Sequence, residues 1–155
     1  MAATLAVPTL GEIGLDHFAP SLLNRLSARW NAELGALLAE MGLSTTQFRA
    51  LAVLSVSSGI TVNELALFAV TEQSTMSRTL DALEEQALVR RRAKAGDLRV
   101  RAVFITEAGL SLFGHIWPAV HATHARFFAG VDEAEFRGLV ATLGKVMRTA
   151  GGEAR

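Results

Sequence analysis

Gln73, Ser74, Thr75, Ser77 and Arg78 stand together in the stretch EQSTMSRTL, Glu72 to Leu80. These side chains suit recognition by hydrogen bonds rather than bond-making chemistry. A Gln amide matches the edge of adenine, an Arg fork matches guanine or a phosphate, and hydroxyls serve phosphates and bases alike. Met76 and Leu80 in this stretch, with Leu83 just beyond it, fall at i, i+4 and i+7, the spacing of a buried helical stripe. Ser74, Ser77, Arg78 and Asp81 fall opposite that stripe. Ser and Thr are indifferent helix formers, and a solvent face would ordinarily carry Glu and Lys. Short polar side chains on a helix with a buried back let it approach the floor of a DNA major groove. The partial positive charge of the helix N-terminus adds attraction for the phosphate backbone.

A second cluster follows. Between Val89 and Ile105 lie Arg90, Arg91, Arg92, Lys94, Arg99 and Arg101 against one acid, Asp97, in a chain of formal net charge +0. A focused basic patch on a neutral chain is a more specific signal than a high overall charge. Val100, Ala102 and Phe104 alternate with Arg99, Arg101 and Val103. This predicts a β-hairpin from Leu88 to Ala93 and Arg99 to Ile105 around Ala95-Gly96-Asp97, with its basic residues on one face. Asp97 is placed to orient the Arg99 guanidinium, and a basic ribbon tip suits a narrow minor groove. Arg90, Arg91 and Arg92 have a second reading, as a strand end bonded to helical carboxylates such as Glu84.

Other candidates carry less. His115, His121 and His124 share a helix, and the last two are at i, i+3. No third ligand on their face is evident, so no metal site is assigned. Trp30 and Trp117 are candidates for the wall of an aromatic-ligand pocket, although aromatics at helical spacing usually belong to cores. No G-x-S-x-G, P-loop, HExxH or G-x-G-x-x-G occurs, so neither an enzyme nor a cofactor is expected. The chain has no Cys, which excludes disulfides, thiol sensing and Cys-ligated zinc.

The positioning elements read as follows. The 155 residues suit one domain with an extension. Residues 1–14 lack Lys and Arg and read as a loose arm rather than a secretory signal, compatible with a cytoplasmic location. A long helix is predicted from Leu15 to Met41. Ser44 with Gln47, Thr61 with Glu64, and Asp132 with Glu135 have capping-box spacing and open further helices. Thr71 is the expected cap of the helix from about 72 to 86. Thr106 opens a helix to about Phe128, which Pro118 would kink. Half the residues are apolar and mean hydropathy is +0.31. No apolar run approaches the roughly 18 residues of a membrane span, so the surplus points to a subunit interface.

Helix, helix, tight turn, helix and hairpin in that order are a helix-turn-helix with a wing. The stretch TVNELALFAVTEQSTMSRTLDALEEQALVRRR, the wing with Asp97-Leu98-Arg99, and FITEAG from Phe104 to Gly109 resemble the MarR family of winged helix-turn-helix regulators. The resemblance covers nearly all the chain after about residue 15. It implies a mainly α fold with a small β-hairpin wing, in which 43–105 binds DNA while 15–42 and 106–150 dimerise. It also implies a homodimeric repressor on a pseudo-palindromic double-stranded operator, released by a small, often aromatic ligand. Gln73, Ser74, Thr75, Ser77 and Arg78 map onto the groove-reading positions, and Asp97 and Arg99 onto the wing pair. Ala69 and Ala87 stand where such sequences often have Gly. Leu98 stands where an extra wing Arg is common, so minor-groove affinity is either weaker or carried partly by Lys94. Two other readings remain open at this point: a winged-helix protein-interaction module without DNA binding, and a His-based metal sensor.

Overall fold

The computed structural model describes residues 7–94 and 97–150, and the side chains of all of these except 94 and 97–100. In chain order the elements are α1 (Leu10–Ile13), α2 (Ala19–Glu40), α3 (Thr45–Val56), β1 (Ile60–Thr61), α4 (Val62–Phe68) and α5 (Gln73–Glu85). They continue with β2 (Val89–Lys94), β3 (Asp97–Ile105), α6 (Glu107–Phe127) and α7 (Glu133–Ala150). Two compact units, Met1–Pro118 and Ala119–Arg155, divide at Pro118 inside α6. No helix among the described residues is long and apolar enough to cross a membrane.

Local chemistry sets the helix starts. The Ser44 hydroxyl accepts from the Gln47 N–H while the Gln47 side chain accepts from the Ser44 N–H. Thr61 with Glu64 and Asp132 with Glu135 make the same reciprocal pair. Each pair satisfies two amides that a helix start leaves open. A further pair, Thr9 with Glu12, builds α1 inside the segment expected to be a loose arm. The long helix also starts later than predicted, at Ala19. Gly14 has φ +78°, and Pro20 in the first turn of α2 fixes where that helix begins.

The core of the first unit gathers Leu51 and Leu54 from α3, Leu65 from α4, Met76, Leu80 and Leu83 from α5, and Val89 and Val103 from the sheet. The sheet is three-stranded with order β1-β3-β2, and both pairings are antiparallel. β1 is an addition to the predicted hairpin, and pairs Ile60 with Val103 and Thr61 with Ala102. Core side chains cover part of the face on which the basic residues were placed. Val103 was aligned with the basic residues, yet both Ala102 and Val103 are buried.

α2, α4 and α5 end in the same way. Past the last turn of α2, the Gly42 N–H donates to the Ala39 carbonyl and the Leu43 N–H to that of Leu38. After α4, Val70 donates to Leu67 and Thr71 to Ala66; after α5, Ala87 donates to Glu84 and Leu88 to Leu83. This paired closure needs one residue with positive φ. Gly42 supplies it at +72°, but Val70 does so at +52° and Ala87 at +57°. The glycine-favouring position after α4 is thus Val70 rather than Ala69, which remains right-handed with φ −79°.

The FITEAG stretch owes its Gly to crowding. Thr106 Oγ1 donates toward the carbonyls of Ala87 and Leu88 at 2.7 and 3.0 Å, and accepts from the Gly109 N–H at 3.1 Å. This draws the start of α6 so close to β2 that a Cβ on Gly109 would lie 2.2 Å from the Leu88 carbonyl oxygen.

In the second unit the His124 ring lies 5.0 Å from that of Phe128 and 5.4 Å from that of Phe136, joining the end of α6 to α7. No described residue of α7 is buried.

The left-handed closures yield a stability prediction. A left-handed non-glycine costs about 1–2 kcal/mol, while glycine costs about 0.5–1 kcal/mol in unfolded-chain entropy. Ala87→Gly is expected to stabilise by about 0.5–1 kcal/mol and Val70→Gly by more, since Val is β-branched. Gly42→Ala should lose about 1 kcal/mol. Denaturant unfolding midpoints at matched concentration check all three.

Candidate nucleic-acid interface

α5 is the element on which the site is built. Its back is locked, because Met76, Leu80 and Leu83 are fully buried. On its outer side Gln73, Ser74, Thr75 and Arg78 are exposed and Ser77 is half-buried. The side chains of these five make no hydrogen bond or ion pair with another described residue. Thr79 differs, because its hydroxyl donates to the Thr75 carbonyl at 2.9 Å and is used within the helix.

The start of α5 is not the one predicted. The N-cap is Glu72, and it makes no side-chain cap bond. Thr71 lies one residue too early: its N–H closes the end of α4, and the first helical bond of α5 is accepted by the Glu72 carbonyl. The first-turn amides of α5 are therefore left without a side-chain acceptor from the cap position. Unsatisfied amides with aligned dipoles are a place for an anionic oxygen.

Asp81 was placed on the reading face, but it is engaged elsewhere. Arg91 on β2 donates through Nη2 to Asp81 Oδ1 at 2.5 Å and to Glu84 Oε2 at 2.7 Å. Its Nε reaches Glu84 Oε2 at 2.9 Å, and its backbone N–H reaches Glu84 Oε1 at 2.8 Å. Of the two readings of the arginine run, Arg91 follows the structural one, while Arg90 and Arg92 are exposed. The Arg91 backbone N–H, then its side chain, holds the Glu84 carboxyl below its ordinary value of 4.5. The Arg91 guanidinium is raised by the bonds from Asp81 and Glu84. This bracket ties α5 to the wing. It also neutralises two of the acids on α5, Asp81 and Glu84, while Glu85 in the last turn stays exposed.

β2 and β3 form the wing, with an irregular register at Ala93 and Lys94. Lys94, Asp97 and Arg99 lie on these strands, but their side chains are outside the described residues.

Arg49 was not singled out from the sequence. From α3 its Nη2 donates to Asn31 Oδ1 on α2 at 2.7 Å, and its Nη1 lies 3.5 Å from the Ala69 carbonyl oxygen. A lone Arg within an apolar helix, RALAVL, was the available signal.

The proposed ligand walls are both in the first unit. Trp117 is half exposed and stacks on Phe113 at 5.7 Å, which stacks on Phe48 at 5.8 Å. Trp30 is half-buried on α2. A depression of about 450 Å³ lies along α2, lined by Leu22, Arg25, Leu26, Ala28 and Arg29. Among the described residues no group of three or more His, Asp or Glu is placed to hold a metal. His121 and His124 stand with ring centroids 6.1 Å apart.

A rigid polar helix backed by a core, preceded by a second short helix and followed by a two-stranded ribbon, defines a winged helix-turn-helix DNA-binding regulator. The MarR family model matches residues 43–100. A MarR family transcriptional regulator of Silicibacter pomeroyi is 40% identical, with a TM-score of 0.84 over 96% of this chain and 99% of that one. The transcriptional repressor Rv2887 of Mycobacterium tuberculosis is 31% identical over 137 residues, 85% of this chain and 99% of its own. The structure of Rv2887 in complex with salicylic acid is similar with a TM-score of 0.68 at 30% identity, over 82% of this chain and 94% of that one. The chain belongs to the MarR family, whose members are transcriptional regulators rather than enzymes.

The bracket predicts a pH signature. A folded-state pKa held below 4.5 contributes stability that is full above that value and is lost as the pH falls through the folded pKa. Glu84→Gln is expected to unfold about 1 kcal/mol more easily at pH 7, a charged hydrogen bond discounted for partial exposure. Its deficit should shrink as the pH drops below 4.5, which thermal melts of both proteins from pH 3 to 7 would reveal.

Proposed function

We propose that this chain is a homodimeric repressor that binds a pseudo-palindromic operator and leaves it when a small aromatic ligand binds. Gln73, Ser74, Thr75, Ser77 and Arg78 read the major groove, and Lys94, Asp97 and Arg99 place the wing in the minor groove. The observation that carries this reading is the outer face of α5, whose polar side chains and first-turn amides are presented outward while its back is fully buried. An interaction module without DNA binding would not need that combination, and a His-based sensor would need ligands beyond His121 and His124.

Dimerisation through the N-terminal segment with α2 and through α6 and α7 is supported by unpartnered apolar residues. In the single chain Leu22, Leu23 and Leu26 on α2 are exposed, as are Val140, Val146 and Met147 on α7. Exposed apolar area of this kind on a single chain marks an association surface. Residues 43–105 form the DNA-binding domain between these dimerising segments, and action is cytoplasmic, where the DNA is. The salicylic acid complex of the Mycobacterium tuberculosis relative supports an aromatic carboxylate as the ligand class, with Trp30 and Trp117 as walls. Such a ligand acts only through its differential affinity for the two dimer geometries.

Fluorescence anisotropy on duplex DNA from upstream of its own gene, run against salt, tests the reading. Tight binding with a steep salt slope is expected, because phosphate contacts release counterions. Arg99→Ala should weaken binding and reduce the slope by about 0.9, one phosphate or groove contact. Gln73→Ala should instead cost about 1–3 kcal/mol at one base position and leave the slope unchanged. Salt-independent binding with no preference for sequence would sink the proposal. Separately, Leu26→Glu is expected to shift the protein to monomers in sedimentation velocity and to abolish specific binding; a dimer with intact binding would move the interface elsewhere.

A further inference from the structure

Arg49 joins α3 to α2 and to the end of α4 by directional bonds. Its guanidinium reaches from α3 to Asn31 on α2 and to Ala69, the C-cap of α4. The Asn31 amide is itself turned by its Nδ2, which donates to Ser27 Oγ at 3.4 Å. A hydrogen-bonded chain thus runs from Ser27 through Asn31 and Arg49 to Ala69. The Ala69 end matters because a helix leaves its last carbonyls open, and a cation there is favoured. Immediately beyond it come left-handed Val70 and the N-cap Glu72 that starts α5.

Leu34 and Leu38 on α2 and Phe48 and Leu51 on α3 are buried, and such burial supplies attraction. That attraction is non-directional and proportional to area. A planar guanidinium fork with acceptors on two elements is directional, which Lys cannot reproduce. We infer that Arg49 is a positioning residue: it fixes the direction of the recognition helix relative to α2, and so sets which half-site spacing the dimer accepts. This rests on the DNA reading proposed above. If α2 belongs to the dimer contact, the angle between α2 and α5 sets the separation of the two recognition helices. One base pair is only about 3.4 Å of duplex axis. A modest loss of angular definition therefore blurs the choice between adjacent spacings.

The test uses the full-length protein and a symmetric duplex selected by wild type from a random pool, remade with its spacer lengthened or shortened by one base pair. Wild type should prefer the selected spacing by about tenfold or more, the usual weight of one mismatched feature. Arg49→Met keeps the apolar stem and removes the fork; Arg49→Lys keeps a charge near Ala69 but does not span both acceptors. Asn31→Ala removes the other end without touching Arg49, and guards against a variant that fails to fold. For each, the preference is expected to fall to about threefold or less. Melting curves and sedimentation should show a folded dimer. Weaker binding to every duplex with the tenfold preference retained would mean that Arg49 only stabilises the fold, and would overturn the inference. Failure of wild type to bind any duplex in a salt-dependent way would instead defeat the DNA reading itself.

Discussion

Burial of the Met76, Leu80 and Leu83 stripe is the constraint on which the rest of the first unit depends. These side chains occupy the centre of a core shared by α3, α4, α5 and the sheet. Each fully buried side chain of this size is worth about 1.5–3 kcal/mol, far more than any surface contact nearby. Their cost when disturbed fixes which way α5 is rotated about its own axis. The outer face then follows without further choice, because side chains on a helix point where the 3.6-residue period sends them. Recognition here is a consequence of packing: the helix has one rotation that buries its stripe, and that rotation turns Gln73, Ser74, Thr75 and Arg78 outward.

Polar side chains supply the orientation that apolar contact does not. The Arg91 bracket holds the wing to α5 from one side, and Arg49 holds the turn before α5 from the other. Thr106 and Gly109 join the start of α6 to Ala87 and Leu88, the turn before β2, by backbone-scale contacts that leave no room for a methyl group. Each of these residues makes a junction between two elements. Directional bonds have most effect there, since a small angular error at a junction is carried along the whole of the next element.

Features that depend on near neighbours in the chain were legible in the sequence. The capping boxes at Ser44, Thr61 and Asp132 need only a spacing of three residues, and all form as read. The recognition helix and the hairpin were legible from periodicity, and Glu84 was a named partner for the arginine run. What escaped depends on distant partners. β1 is two residues long and exists only because β3, some forty residues later, offers an edge. The burial of Val103 likewise comes from residues far away in the chain, the core side chains of α3, α4 and α5. Thr71 looked like a cap but was claimed by the end of the preceding helix, a competition no local pattern displays. Arg49 and Asn31 meet across 18 residues, and neither type announces the other.

The residues proposed to read DNA and the residues that hold α5 in the fold are separate sets. The side chains of Gln73, Ser74, Thr75 and Arg78 contribute nothing to the core and bond to no described neighbour, whereas those of Asp81 and Glu84 bond to Arg91. Surface substitutions that touch no such feature usually change stability by less than about 0.5 kcal/mol. The same scaffold can therefore drift from one target sequence to another through intermediates that all remain folded. For a lineage of regulators that duplicates and diverges, this separation makes altered target choice accessible one residue at a time, while Asp81 and its bracket stay under the discipline of the fold.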